Sequence, residues 1–491
     1  MLYHPLNPPM KNTCTPRRFA ALLSLVAAIG TSSLTGADAT IPVAGRAVAV
    51  AAPESAWQVD VNARARVESR EQNFTFNRSV ASATDDTWLL TRLRLGLKGK
   101  LSPAWTAYVQ LQDSREFGSA RPAVPFVLGS EGDDPLDLRQ AYVEYKASDC
   151  LWRVGRQVLA FGDERLVGPV DWNNLARSFD AVRLTLPKVG AGMDIFVSSV
   201  VRVQPGSKTG WHANHSSRDD LFAGVYSRFA PHPTFKIEPY VFWRQSTKDT
   251  LYSAGAAGTA RPYDIPQKIT TAGLRHVGGP ADKLGGFDYD AEFAGQTGKA
   301  RGRQAVAGAL VYPGPAWLDH RAWALHGGLG YSTKIGGTPL RVYAEVNRAS
   351  GDRDPTDGKT ESFLNLFPTN HKFYGGMDVF AWKNLREFAL TAATTVSGLK
   401  VRLEHHWFAL DRVSDTWFRA NAVTAVRPLT AAARQASRDA GTETDLVLSR
   451  ALGKQITLEA GYSYFSAGRY LAQTGGASDA RFFYLQTAFQ W

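Results

Sequence analysis

The chain of 491 residues has a formal charge of +11, and it contains 44 Gly, 13 Trp, 17 Tyr and 25 Phe but only 4 Met. Its two cysteines exclude a disulfide-rich secreted scaffold. Nucleic-acid binding is disfavoured, because the basic residues are dispersed along the chain instead of forming a Lys/Arg tract. Abundant aromatic residues and glycine, without a sustained 3.6-residue apolar stripe, predict sheet and not helix.

Residues 1–39 have the anatomy of a secretory signal peptide. Basic residues precede an apolar run at 19–29, and a small-x-small cleavage pattern follows at 37–39. That run is too short to span a bilayer, which needs about 20 residues. The mature protein is therefore expected to be exported, with residues 40–56 forming an N-terminal periplasmic extension.

Several later segments alternate apolar with ionised residues, as strands between lipid and an aqueous lumen do. The clearest lie at residues 59–70, 88–101, 340–350 and 399–408. They are long enough for tilted membrane strands of about 9 to 11 residues. A soluble β-sandwich would show the same alternation, so this pattern alone leaves both architectures open.

The stretch "GRQVLAFGDERLVGPVDWNNLARSFD" at residues 155–180 is dense in charge, glycine and proline. Asp163, Glu164 and Asp171 could act as the acid and base of a glycosidase or could close a salt-bridged loop. The chain has no Gly-x-Ser-x-Gly, His-Glu-x-x-His or phosphate-loop motif. We therefore predict no catalytic residue, and interpret the stretch as a strand that runs into a bent loop.

Two constellations resemble metal sites. Asp352, Asp354 and Asp357 lie near a glycine, but one residue too many separates the second acid from the third for an EF-hand loop. His405 and His406 are adjacent in an alternating strand, so they are expected to face opposite sides. We predict a solvated loop and no metal or cofactor, while calcium binding by the three aspartates stays open.

The end of the chain distinguishes the two sheet architectures. In "ARFFYLQTAFQW" the terminal Trp491 is in register with Phe489, Leu485 and Phe483. Soluble chains usually fray at their termini, whereas a closed barrel must pair its last strand and present its outer face to lipid. We therefore predict an all-β fold, a single transmembrane antiparallel β-barrel at residues 57–491 in the bacterial outer membrane.

The size of this barrel and its charge suggest a pore. At about 25 residues for each strand and its connection, the mature chain supplies about 18 strands, and barrels of 16 to 18 strands leave an aqueous channel. Rings of lumenal Arg and Lys favour anions, although any one lumenal arginine could equally rigidify the wall by pairing with Asp or Glu. The alternation places six arginines on the non-lipid face: Arg64, Arg66, Arg92, Arg94, Arg341 and Arg402.

Three segments carry a resemblance to the alginate export family of outer-membrane porins. They are "LRQAYVEYKASDCLWRVGRQVLAFGDERLVGPVDWNN", "NRASGDRDPTDGKTESFLNLFPTNHKFYGGMDVFAWKNL" and "TDLVLSRALGKQITLEAGYSYFSAGRY". The resemblance implies an 18-stranded monomeric barrel with an arginine-rich constriction for an anionic uronate polysaccharide. It also implies constriction roles for Arg139 and Arg94, whereas Gln140 replaces a family Glu. Arg156, within the shared Gly-Arg-Gln, is a further candidate whose facing the alternation leaves ambiguous.

We predict a porin with an electropositive lumen that passively exports an anionic polysaccharide such as alginate from the periplasm. An uptake porin for small acidic sugars or organic acids is the alternative, and an outer-membrane barrel hydrolase is a remote one. Expected partners are the anionic solute, outer-membrane lipid and periplasmic secretion components. The candidate substrate-binding residues are Arg139, Arg94, Arg156, Arg64, Arg66, Arg92, Arg341 and Arg402.

Overall fold

A computed structural model shows where the predicted strands lie. It describes residues 56–72, 76–78, 85–119, 134–202, 214–247, 251–253, 260–262, 265–307 and 309–491. The predicted signal peptide lies outside these residues, as does the predicted periplasmic extension apart from Ala56. Both therefore stay predictions.

Eighteen antiparallel strands close into one barrel, as the alternation predicts. In chain order they are β1 (Trp57–Glu71), β2 (Asp86–Lys100), β3 (Trp105–Phe117), β4 (Asp134–Lys146), β5 (Leu151–Gln157), β6 (Phe179–Leu186), β7 (Met193–Arg202), β8 (His215–Ser227), β9 (Phe235–Ser246), β10 (Gln267–Gly278), β11 (Phe287–Ala300), β12 (Leu318–Ile335), β13 (Thr338–Ala349), β14 (Leu385–Val396), β15 (Leu399–Leu410), β16 (Asp439–Leu452), β17 (Ile456–Ala467) and β18 (Ala480–Gln490). Each strand pairs with the next, and β1 pairs with β18 from Asn62↔Gln490 to Glu71↔Arg481. The sheet therefore has no free edge.

The period-2 alternation separates an apolar outer face from a charged lumen. In β2, Leu95 is 47% exposed on the outside whereas Arg94 is 6% exposed on the inside. At the end of the chain Phe483 and Leu485 are also exposed on the outer face. Within the described residues, no helix is long and apolar enough to cross a membrane.

The two ends of the barrel differ in the length of their connections. One end carries short turns, the start of β1 and the end of β18; at Gly336 and Gly337, with φ of +56° and +84°, two residues join β12 to β13. Such a turn needs positive φ at both positions, which glycine adopts readily. Long connections lie at the other end, and α1 (Arg469–Thr474) belongs to one of them. Short turns face the periplasm in outer-membrane barrels, so the long connections are extracellular.

Three long connections fold back into the lumen: loop A (residues 158–178), loop B (residues 350–384) and loop C (residues 411–438). Loops A and B join where Val167 and Phe367 form a parallel bridge, and Trp417 of loop C donates its indole N–H to the carbonyl of Val379 in loop B at 2.8 Å. Phe161 of loop A stacks 5.1 Å from the lumenal ring of Tyr226. The charged stretch singled out in the sequence is therefore the end of β5 and a loop buried inside the barrel.

Candidate functional site

Five arginines on neighbouring strands form one lumenal surface, here called the arginine wall. Alternate residues of β1 and β2 face inward and position four of them. Arg139 of β4 lies where the register with β3 shifts, so that Arg139 and the adjacent Gln140 are both buried. The five arginines are at most 7% exposed. The members of the arginine wall are Arg64, Arg66, Arg92, Arg94 and Arg139.

Loop A covers the arginine wall with its backbone carbonyl groups. Arg64 and Arg92 each donate from Nη1 to the carbonyl of Asp171 at 3.0 Å. Arg66 donates to the carbonyl of Trp172 at 2.8 Å, and its guanidinium lies 3.8 Å from the centre of that indole ring. Charge-assisted hydrogen bonds of this kind are stronger than neutral ones, so the wall holds the loop in place.

The carboxylate of Asp171 lies among the same guanidinium groups. Arg94 donates from Nη2 to its Oδ1 at 2.8 Å, and Nη2 of Arg139 is 3.6 Å from the same oxygen. Burial alone would raise the pKa of Asp171, but Arg94, Arg92 and Arg139 outweigh it and hold the pKa far below its usual range. The carboxylate therefore stays ionised as the ion-pair partner of these guanidinium groups.

Arg341 and Arg402 lie elsewhere on the lumenal face of the barrel. Arg341 forms an ion pair with Asp288, with its Nε 3.1 Å from Oδ2, and Arg402 lies 3.5 Å from Glu404. Their side chains are 29% and 43% exposed, so both remain open to water.

Arg156 stands apart from the arginine wall. It lies on the opposite side of β5 from the fully buried Gln157, and it forms a bidentate pair with Asp180 at 2.9 and 3.1 Å. Gly155, with φ of +128°, lies within β5, and the pairing of β5 with β4 and β6 continues through it. The structure thus brings five of the eight candidate arginines together and leaves three at other positions.

A second charged surface, here called the carboxylate wall, consists of Glu345, Glu387, Glu443 and Asp445. These side chains belong to β13, β14 and β16 and are at most 8% exposed. Loop B covers them with backbone amides: Met377 donates to Glu443 at 2.8 Å and Gly376 donates to Asp445 at 3.4 Å.

Two basic side chains contact the carboxylate wall. Arg165 of loop A donates to Glu345 at 3.2 Å. His406 lies between Glu387, at 2.7 Å, and Asp445, at 3.4 Å. Sequence reasoning missed this wall, although the inward positions of Glu345 and His406 follow from the same alternation that identified the arginines.

The side chains that resembled metal ligands in the sequence contact protein groups in the structure. Asp352, Asp354 and Asp357 accept hydrogen bonds from backbone N–H groups of their own loop, at 3.3, 2.9 and 2.9 Å. His405 and His406 face opposite sides of β15, as predicted.

Among the described residues, one group of three does place candidate metal-ligand atoms within 4.8 Å of one another, namely Glu404, His406 and Asp445. His406 already contacts Glu387 and Asp445 through its two ring nitrogens. The group therefore has the arrangement of an internally paired lumenal network.

Asp163 of loop A, the other aspartate of the glycosidase alternative, also faces arginines. Its carboxylate oxygens lie 3.6 Å from Arg165 and 3.8 Å from Arg275. The adjacent Glu164 has a raised pKa because it is buried. These contacts match the salt-bridged closure of a loop.

Comparison with known proteins places this barrel among transport proteins. A family model described as alginate export matches residues 56–484. The solved structure of Pseudomonas aeruginosa OccK2 (OpdF) in complex with glucuronate is 12% identical, with a TM-score of 0.54 over 88% of this chain and 97% of that chain. Acinetobacter baumannii OccAB1 is 10% identical, with a TM-score of 0.53 over 89% and 96% of the two chains. No curated protein sequence matches.

Proposed function

This chain belongs to the alginate export family, and we propose that its outer-membrane barrel passes an anionic, uronate-bearing polysaccharide from the periplasm to the exterior. Family and fold support a porin-type channel role. The observation that carries the finer proposal is the charge imbalance at loop A. There Arg64, Arg92, Arg94 and Arg139 share the side chain and backbone of Asp171.

A uronate carboxylate offers the arginine wall the same acceptor atoms that loop A offers. Guanidinium groups bind carboxylates in a planar bidentate fork, and they do so more strongly than they bind neutral carbonyls. Successive uronates can therefore replace the carbonyls of Asp171 and Trp172 one by one. In this proposal loop A is the gate, and the polysaccharide displaces it by competing for the arginines.

Several arginines in a row also allow the polymer to move. Each sugar carries one charge, so release from one guanidinium can coincide with capture by the next. Passage through a pore requires binding that is favourable but spread over several sites. The lumenal Arg341 and Arg402, each beside a carboxylate, are weaker sites in the same path.

Uptake of single acidic sugars is the second candidate function. Its supporting observation is that loops A, B and C are buried within the lumen, which narrows the path for a polymer more than for a monomer. The Pseudomonas aeruginosa OccK2 structure was determined with glucuronate, a single uronate. Both candidates use the arginine wall, but they differ in the size of the solute.

Single-channel recording in planar bilayers tests the proposal. Polyuronate added to the periplasmic side should block the ion current in a voltage-dependent manner, and a neutral polysaccharide of equal length should not. Arg94→Glu with Arg139→Glu should weaken the block and the anion preference, whereas the outward-facing Arg481→Gln should change neither. A cation-preferring pore, or a current that polyuronate leaves unchanged, would contradict the proposal. Block by monomeric uronate alone would favour uptake.

A further inference from the structure

A group of arginines lies on the outside of the barrel at the extracellular rim, and the transport path does not use it. Arg348 and Arg386 project outward from β13 and β14, because they alternate with the buried lumenal residues Asn347 and Glu387. Arg412 lies two residues beyond the end of β15. The rim arginines, as this group is called below, are Arg321, Arg348, Arg353, Arg386 and Arg412.

A buried carboxylate organises three of the rim arginines. Asp411 is 2% exposed, and its Oδ1 accepts from Nε of Arg348 and of Arg386, both at 2.9 Å. Nε of Arg412 lies 3.6 Å from Oδ2 of the same carboxylate. One negative charge thus fixes three positive charges in one place, and the three side chains stay 28–38% exposed.

The other charged groups nearby leave the net charge of the rim arginines positive. Arg353 lies 3.4 Å from Glu361, and Lys299 lies 3.0 Å from Asp319. Arg321 is exposed on β12 beside them. These additional carboxylates each have a basic partner, so they do not cancel the three charges held by Asp411.

A groove with a volume of about 560 Å³ lies beside the rim arginines. Arg321, Arg348, Arg353 and Arg412 line it together with Trp323, whose ring centre is 5.0 Å from the guanidinium of Arg348. An aromatic ring next to a cation at the edge of the membrane is typical of the interface between lipid chains and headgroups.

Directly below the groove the outer surface is apolar. Outward side chains are 42–51% exposed there, and the residues two positions from Trp323, Arg348 and Arg386 lie about 7 Å along each strand in the direction of the membrane centre. The rim arginines therefore lie next to an apolar surface on their membrane side. One lipid molecule can contact both, with its headgroup at the arginines and its chains on the apolar surface. The apolar residues are Phe293, Leu325, Val346 and Phe388.

We propose that the rim arginines bind the phosphate groups of a phosphorylated glycolipid of the outer leaflet, with its acyl chains on the apolar surface below. Phosphate is the anion that matches several guanidinium groups held together, since its oxygens accept bidentate hydrogen bonds. The extracellular end of the barrel places the group at the headgroups of that leaflet. An outward position also separates this site from the solute path.

Native mass spectrometry in a mild detergent tests this proposal, with lipid A as the probe. The wild-type barrel should retain lipid A and should retain its dephosphorylated form about ten-fold less, because charge-assisted contacts dominate. Arg348→Gln with Arg386→Gln should lose lipid A to a similar extent. Arg481→Gln, which changes an outward arginine of β18 at the same rim, should retain it.

Three results would overturn the proposal: equal retention of both lipid forms, full retention by the double variant, or a mass that shows a second copy of the chain on this face. Heat-modifiable gel mobility checks that each variant is a folded barrel. If the double glutamine variant does not fold, Arg348→Lys with Arg386→Lys takes its place. This variant keeps the charge and removes the forked geometry, so it should retain an intermediate amount of lipid A. Single-channel conductance should be unchanged in all of them, which separates this test from that of the channel function.

Discussion

The arginine wall and the carboxylate wall hold loops in the lumen through opposite ends of the peptide unit. The arginine wall binds the carbonyl groups of Asp171 and Trp172 in loop A. The carboxylate wall binds the amides of Gly376 and Met377 in loop B. The sign of the charge on a barrel wall thus determines which side of a loop backbone faces it, since buried peptide groups need partners.

The two walls also differ in the side chains that pair with them. Within the described residues, the carboxylate wall contacts the basic side chains of Arg165 and His406. In the arginine wall, Arg66 pairs with Glu68 at 2.7 Å, whereas Arg94 and Arg139 both face the one carboxylate of Asp171. The proposed function requires an anionic solute to compete with Asp171 for these guanidinium groups.

The largest effect is expected from removing the two arginines that hold the carbonyl of Asp171. Arg64→Gln with Arg92→Gln removes two charged hydrogen bonds that contribute about 1.5–3 kcal/mol each. The fraction of channels in which loop A has left the arginine wall should rise about 100-fold or more. Single-channel conductance should rise with that fraction. Arg481→Gln, which changes an outward-facing arginine of β18 that pairs with Glu71, is the control. An unchanged conductance in the double variant would show that loop A is not held by this wall.

A smaller effect is expected on the opposite wall. Glu443→Leu leaves the buried amide of Met377 without its acceptor, which costs about 1–3 kcal/mol. Loop B should become sensitive to protease at the extracellular surface while loop A stays protected. Equal sensitivity of both loops would mean that the two walls do not act separately.

Asp171→Asn sharpens the comparison, because it removes the carboxylate and keeps the hydrogen bonds that the arginines donate to the backbone carbonyl. The backbone carbonyl at this position is retained in the variant and should keep loop A in place, while the guanidinium groups lose a counter-charge. Anion selectivity, measured as the reversal potential in a salt gradient, should increase modestly with conductance almost unchanged. Decreased anion selectivity would be the contrary result.

The smallest effect is a pH dependence of loops B and C. Burial and the neighbouring Asp415 raise the pKa of Asp352 to about 8. Because the folded pKa exceeds the unfolded value near 4, the packed loops are most stable at acid pH and lose stability as pH rises from about 4 to about 8. The protection of residues 350–384 against hydrogen exchange, taken relative to the intrinsic exchange rate at each pH, should fall over that interval in the wild type and not in Asp352→Asn.

The alternation of residue types made the barrel predictable. Leu95 and Arg94 differ in polarity at adjacent positions, so the strand, its lipid face and the direction of the arginine all follow from local sequence. Arg156 was ambiguous for a local reason as well, because Gly155 next to it has no side chain that marks either face of the strand.

The loops could not be predicted in the same way. Contact between Arg64 and Asp171 joins residues 107 positions apart, and no periodic pattern in loop A specifies its partner. The density of charge in residues 155–180 indicated either buried ion pairs or a catalytic site. Only the positions of the arginine wall and the carboxylate wall distinguish these two interpretations. Long-range pairing is thus the part of this site that depends on the closed barrel.

Loop A touches the barrel on both sides, through Arg64 of β1 at Asp171 and through Glu345 of β13 at Arg165. It is therefore a strut across the pore, and the shape of the barrel cross-section and the position of the loop are mechanically coupled. Lateral pressure that flattens the barrel along this line compresses the strut, and stretching along it pulls the two contacts apart. The position of loop A is thus tied to the width of the barrel between β1 and β13.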